Sequence, residues 1–317
     1  MANPMPAAEV EITADLVRRL LAEQHKDLAG LPVEPLATGW DNTLFRLGDA
    51  LVARLPRRAL GASIVVNEQR WLPSLAPRLP LPVPVPVRTG VPGEGYPWPW
   101  SVVPFLPGVP ASDGPPFDPS LAARDLGGFF GALHVPAPPD APDNPYRGVP
   151  LERRAATFEQ NLAALDFAAL DVAAPDGTVP AGRGARDLVL AAWATALAVP
   201  PWDGPPVWLH GDPHPANILI GDGRVSGVLD FGDITAGDPA ADLSIAWMLL
   251  PASYHGDFRA AYAAVSGEPI GEETWARGRG WALNLGIVFL AWSADNPWMR
   301  AIGHRTVAAV LAAEVSR

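Results

Sequence analysis

The sequence predicts an α+β fold in two parts, a small β-rich N-terminal part followed by a larger, mainly helical C-terminal part. Three observations predict it. Strand-like runs flank a Gly48-Asp49 turn near the N-terminus. A proline-dense stretch from Pro80 to Pro119 excludes helix and separates this region from the rest of the chain. Beyond Pro150 apolar residues recur at helical spacing, interrupted by a single hairpin.

Thr13 suits the N-cap of a first helix whose apolar residues Leu16, Val17, Leu20 and Leu21 share one face. Thr43–Leu47 and Leu51–Leu55 read as a hairpin, and Ser63–Leu75 as a helix. Within the proline-rich connection, Pro84–Arg88 and Trp98–Val103 read as extended. Asp118-Pro119 pairs an N-cap with proline at the first helical position and starts a helix to about His134. Helices are expected at about 151–170, 185–198, 239–250, 256–265, 273–292 and 298–315, with a β-hairpin at 207–230. The division falls between 1–104 and 105–317.

Composition narrows the function. A chain of 317 residues that is 49% hydrophobic has the material for a full core. With no cysteine, disulfides, thiolate metal sites and cysteine nucleophiles are excluded, and a cytoplasmic location is expected. The N-terminal residues lack the order of a secretory signal, and the apolar run Trp281–Trp292 is too short to span a membrane and contains Asn284. A net charge of -11 opposes a nucleic-acid partner and suits a cationic one. Lys26 is the only lysine.

The chemistry concentrates in LHGDPHPANILIGDGRVSGVLDFGD, residues 209–233. Asp222-Gly223 is a two-residue hairpin turn; with it central, Ile220 faces Val225 and Asn217 faces Val228. Asn217 and Asp230 then emerge together at the open end. An amide oxygen beside a carboxylate suits Mg2+, which takes few ligands from protein when phosphates supply the rest. Asp212, five residues before Asn217, is placed to orient a hydroxyl and accept its proton, as phosphoryl transfer requires. The alternative reads His210, Asp212 and His214 as a metal-hydrolase cluster.

LHGDPHPANILI, GVLDFGD and GDPAADL, together with GWDNTLFRLG, LVARLPRR and NEQRWLP, resemble the aminoglycoside phosphotransferase family of protein-kinase-like enzymes. The resemblance implies a bilobal protein-kinase-like fold and an O-phosphotransferase using ATP or GTP with Mg2+. It implies that Asp212 is the catalytic base, that Asn217 and Asp230 bind magnesium, that His210 orients the loop, and that Asp242 is a structural anchor behind Asp238. Arg54 stands where family enzymes carry a lysine, with Glu68 as its partner, while Arg57 and Arg58 are expected to face solvent. Thr38, Asn42 and Thr43 occupy the nucleotide-loop position, and the Pro104 carbonyl and Leu106 N–H the adenine-contacting one.

The acceptor is a small-molecule hydroxyl, with Asp233, Asp295 and Asn296 as candidate contacts. An aminoglycoside or other antibiotic is the leading class. A metabolic kinase acting on an amino alcohol, sugar or sugar amine would need the same hairpin. A nucleotide-binding pseudokinase is the reading that Arg54 motivates.

Overall fold

The computed structural model describes residues 6–167 and 183–315. Helix α1 (Ala14–Gln24) starts at Thr13, whose Oγ1 accepts the Leu16 N–H at 3.2 Å. It buries Leu16, Val17, Leu20 and Leu21 against Val33, Phe45, Leu47, Leu55 and Trp100 of a five-stranded antiparallel sheet. The strands are β1 (Val33–Thr38), β2 (Asn42–Leu47), β3 (Leu51–Pro56), β4 (Arg88–Gly90) and β5 (Trp100–Pro104), ordered β1-β2-β3-β5-β4. Helix α2 (Ala59–Leu75) intervenes between β3 and β4. It begins four residues ahead of its expected start and carries Pro73 inside its last turn. Strand β1 has no counterpart among the expected elements. Five of its six residues are exposed and it contains Pro35, so the alternation that marks a half-buried strand is missing.

The proline-rich connection contains no α-helix, as expected, though Ala111–Asp113 form a 3-10 turn, and its strands lie one to four residues nearer the C-terminus than expected. Its last strand, β6 (Val109–Pro110), pairs with the later hairpin. Helix α3 (Pro119–Leu133) is capped by Asp118 Oδ1, which accepts the Ser120 N–H at 2.8 Å. Next come α4 (Ala155–Ala163) and α5 (Arg183–Leu197), then β7 (Val207–Leu209), β8 (Ile218–Gly221), β9 (Arg224–Val228) and β10 (Thr235–Gly237). The chain ends in α6 (Ala240–Leu243), α7 (Ile245–Leu249), α8 (His255–Ser266), α9 (Glu272–Trp292) and α10 (Pro297–Val315). The helix expected at 151–170 is a 3-10 turn followed by α4; residues 168–170 lie outside the described ones. The one expected at 239–250 is broken at Ser244, whose hydroxyl turns back onto the Ala241 carbonyl at 2.7 Å.

Two features position the site. Helix α3 approaches α8 closely because Gly127 and Gly131 face it: a Cβ on either would lie 2.3 Å from Phe258 O or 2.6 Å from Tyr262 O. Leu72 and Leu75 of α2 join the apolar cluster of Val228, Phe231 and α3, which brings the N-terminal helix down onto the end of the hairpin. No helix among the described residues is long and apolar enough to cross a membrane.

Candidate active site

Asp222 and Gly223 have φ of 51° and 75°, the left-handed pair that a two-residue hairpin turn demands. From this turn β8 and β9 run back with Ile220 opposite Val225, but a bulge between Leu219 and Ile220 shifts the remaining register by one. Ile218, and not Asn217, therefore faces Val228. The shift favours the site. The Asn217 carbonyl accepts the Leu229 N–H at 2.8 Å, so Asn217 lies one residue from Asp230 across the ladder. The local sign of the bulge is Gly227, a lone glycine inside the strand beside the extra residue Ser226, which the turn-centred register leaves out of account.

Asn217 Nδ2 donates to the Asp212 carbonyl at 3.1 Å and lies 3.3 Å from His214 Nε2, which turns its amide oxygen away from the loop. Asp230 holds φ at 58°, rare for a residue with a side chain, and its Oδ1 accepts from Arg54 Nη2 and the Gly232 amide, both at 3.3 Å. Its side chain is half exposed, so the second oxygen can take a cation. An amide oxygen and a carboxylate oxygen are hard donors suited to Mg2+.

The loop before Asn217 hangs from Asp242, which is wholly buried. Its two carboxylate oxygens accept the His210 and Gly211 backbone N–H groups at 2.7 and 2.9 Å. His134 Nε2 lies 3.2 Å from Asp242, and His134 Nδ1 lies 3.1 Å from the Tyr262 hydroxyl. Burial, then the nearby Asp242 charge, pushes the Tyr262 phenol upward. His210 is also fully buried: its Nε2 faces the Leu229 carbonyl at 2.9 Å and its Nδ1 accepts the Asp212 N–H at 3.2 Å. With both ring nitrogens engaged in holding the loop to the hairpin, His210 is no metal ligand. No group of three or more His, Cys, Asp or Glu among the described residues suits a metal.

The largest addition to the expected site is Arg147. Its Nη2 donates to Asp212 Oδ1 at 2.8 Å and lies 3.4 Å from Asp233 Oδ2. Asn144 Nδ2 donates to Asp233 Oδ1 at 2.8 Å, and His214 Nε2 lies 3.4 Å from Asp212 Oδ2. Burial favours the neutral acid at Asp212, yet Arg147 and then His214 outweigh it and hold the carboxyl well below the usual range. At Asp233 burial prevails over Arg147, and its carboxyl is raised. Nothing in NPYRGVP marks Arg147 as a site residue. The one local signal is Gly148: its φ is 64°, and a Cβ there would lie 2.5 Å from Leu209.

On the N-terminal side, Arg54 is buried and bridges Glu68 Oε1 at 2.9 Å and Asp230. Burial opposes its charge, but Glu68 and Asp230 raise its pKa. Thr38 and Thr43 face each other across β1 and β2, and the Asn42 carbonyl accepts the Gly39 N–H at 2.9 Å. Arg57 and Arg58 do not face solvent. Arg57 is buried, with Nη1 on the Gly39 carbonyl at 3.1 Å, and Arg58 pairs with Asp41 at 2.9 Å. They fold back because Asp41 and the Gly39 carbonyl offer acceptors at the strand end. Burial, then Asp230, raises the Asp41 carboxyl. Pro104 closes β5, and Leu106 lies where a Cβ on Gly227 would be 3.2 Å from it. Asp295 and Asn296 are exposed ahead of α10, where Asn296 Oδ1 accepts the Met299 N–H at 3.1 Å.

Residues 32–281 match the model of the phosphotransferase enzyme family. The chain belongs to that family. The fold agrees. A GDP complex of aminoglycoside 2'-phosphotransferase-IIIa superposes with a TM-score of 0.65 at 19% identity, over 96% of this chain and 100% of the other. Macrolide 2'-phosphotransferase MphH from Brachybacterium faecium gives 0.57 at 24% identity, over 92% and 97%. A GDP and kanamycin complex of APH(2")-IIIa gives 0.64 at 18%, over 94% and 98%. The protein-kinase-like phosphotransferase fold is thus that of this chain. No match to it was found among the curated proteins.

Proposed function

We propose that this phosphotransferase moves the γ-phosphoryl group of ATP or GTP, with Mg2+, onto a hydroxyl of a small molecule. The observation that carries the reading is the convergence of the Asp212 loop with Asn217 and Asp230 at the open end of the β8–β9 hairpin. The nucleotide lies between the 1–104 and 105–317 parts, with Arg54, Thr38, Asn42 and Thr43 on its phosphates and the Pro104 carbonyl and Leu106 N–H on its base. Solved relatives were captured with GDP, with GDP and kanamycin, or as a macrolide phosphotransferase, which supports a nucleotide donor and an antibiotic-like acceptor.

Asn217 and Asp230 would hold Mg2+, whose charge would neutralise the phosphate oxygens. Asp212 holds the acceptor hydroxyl in line with the γ-phosphorus. As the new O–P bond forms and the bond to the β-phosphate oxygen breaks, the hydroxyl proton passes to Asp212 and the nucleoside diphosphate leaves. A carboxylate with a low pKa is a weak base, which fits a loose transition state in which the proton moves late. Arg54 keeps its charge under any condition and offers a planar fork for phosphate. The Arg54–Asp230 contact also favours a second reading, a pseudokinase that binds nucleotide without transfer.

Both readings meet one assay. ATP and GTP are offered as donors with aminoglycosides, macrolides, amino alcohols and sugars, and phosphorylated acceptor is sought by mass spectrometry. Transfer to any of them supports the kinase. Magnesium-dependent nucleotide binding with no transfer supports the pseudokinase.

A further inference from the structure

Arg147 lies between two of the expected site residues, Asp212 and Asp233, and its surroundings bear on which acceptors the site takes; the inference rests on the phosphotransfer reading above. All four carboxylate oxygens beside the reacting hydroxyl already have partners. Asp212 Oδ1 holds Arg147 and Oδ2 faces His214, while Asp233 Oδ1 holds Asn144 and Oδ2 faces Arg147. A neutral hydroxyl can share an oxygen with the guanidinium, because each carboxylate oxygen carries two lone pairs. An ammonium cannot share so readily, since it meets a fixed positive charge at the same oxygen.

Arg147 cannot simply withdraw. Its side chain is 16% exposed and its Nε is buried without a partner, so displacement leaves a desolvated cation with fewer bonds. The loop that carries it is pinned at both ends. Thr235 Oγ1 donates to the Pro142 carbonyl at 2.8 Å, and the Asp238 N–H to the Gly148 carbonyl at 3.0 Å. Gly148 and Gly237 touch back to back: a Cβ on Gly237 would lie 2.3 Å from Gly148 O. Within the loop, Asn144 Oδ1 accepts the Tyr146 N–H at 2.9 Å. A second cation, Arg154, lies 5.4 Å over the Tyr146 ring.

We propose that Arg147 determines the charge class of the acceptor: by tying up Asp212 and Asp233 together, it disfavours polycationic acceptors and reserves the site for hydroxyl compounds carrying at most one amine. The chain's net charge of -11 does not overrule this. Exposed charges farther than about 10 Å are screened at ordinary ionic strength, whereas Arg147 acts at contact.

Equilibrium binding of kanamycin and erythromycin, the polycationic and single-amine probes, tests it by calorimetry on the full chain. Arg147→Gln should bind kanamycin about tenfold or more tightly than wild type, with the erythromycin affinity changed by less than half that factor. Arg147→Lys, which keeps the charge, should resemble wild type. The double variant Arg147→Gln/Asp233→Asn should keep only part of the gain, since one of the two freed carboxylates is then gone and Asp212 remains. Arg147→Met, of similar reach, serves as a second neutral variant if glutamine impairs folding. No gain in kanamycin affinity in a folded neutral variant overturns the inference, as does an equal gain in Arg147→Lys. These readouts involve no phosphoryl transfer, so absence of transfer counts against the proposed activity and leaves this comparison intact.

Discussion

The roles proposed for Asp212 and Asp230 differ, and substitution should separate them. Asp212→Asn keeps the volume and loses the base, so kcat should fall about 100- to 10,000-fold while magnesium-nucleotide affinity stays near wild type. Asp230→Ala should instead weaken nucleotide binding in the presence of Mg2+ and leave magnesium-free binding nearly unchanged, as titration by calorimetry can show. Arg54→Lys asks whether the guanidinium is required. Because Arg54 spans Glu68 and Asp230 at once, lysine should lose one of the two contacts and lower kcat/KM. The motif residues were legible in the sequence since HGDxxxxN followed by DFG fixes spacing along the chain. Arg147 was not, because it reaches the site from a loop 65 positions away that folds onto β7 and β10.

At the scale of elements, the site hangs from two anchors that substitutions can probe without touching the reacting groups. Asp242 holds the His210 and Gly211 amides, and Asp242→Ala should cost about 1–3 kcal/mol for each buried N–H left without an acceptor. Denaturant unfolding measures that loss. Gly148→Ala forces a side chain into a left-handed position against Leu209 and should destabilise the protein by on the order of 1–3 kcal/mol. The Arg147–Asp212 pair has a pH signature. The folded pKa of Asp212 is depressed, so the stability the pair contributes is present above about pH 4, the unfolded carboxylate value. It is lost as pH falls towards the folded pKa. The stability deficit of Arg147→Gln should therefore be full at neutral pH and shrink in acid, which unfolding curves across pH can establish. The hairpin turn was readable from Asp222-Gly223. The shifted register that brings Asn217 one residue from Asp230 was not, because the later strand is also held from outside the hairpin, where the Val228 N–H donates to the Pro82 carbonyl.

At the scale of the molecule, an α+β architecture was legible because the strand signals cluster early and the helical period dominates late. The joining of the two parts was less so. Helix α2 belongs by sequence to the N-terminal part, yet Leu72 and Leu75 pack beside Val228 and Phe231, and Glu68 of the same helix meets Arg54. That packing links the sheet carrying Arg54 to the open end of the hairpin at Asp230, a coupling that no local pattern announces. The -11 net charge suggests a cationic acceptor, but Asp212 and Asp233 are both paired with Arg147, so the local arrangement has the greater claim. The central claim is that Asp212 serves phosphoryl transfer at the end of this hairpin. The most direct test compares wild type with Asp212→Asn for nucleotide-dependent formation of phosphorylated acceptor, at saturating Mg2+ and nucleotide. The account predicts transfer by the wild type and almost none by the variant at equal nucleotide affinity; transfer by Asp212→Asn at the wild-type rate would contradict it.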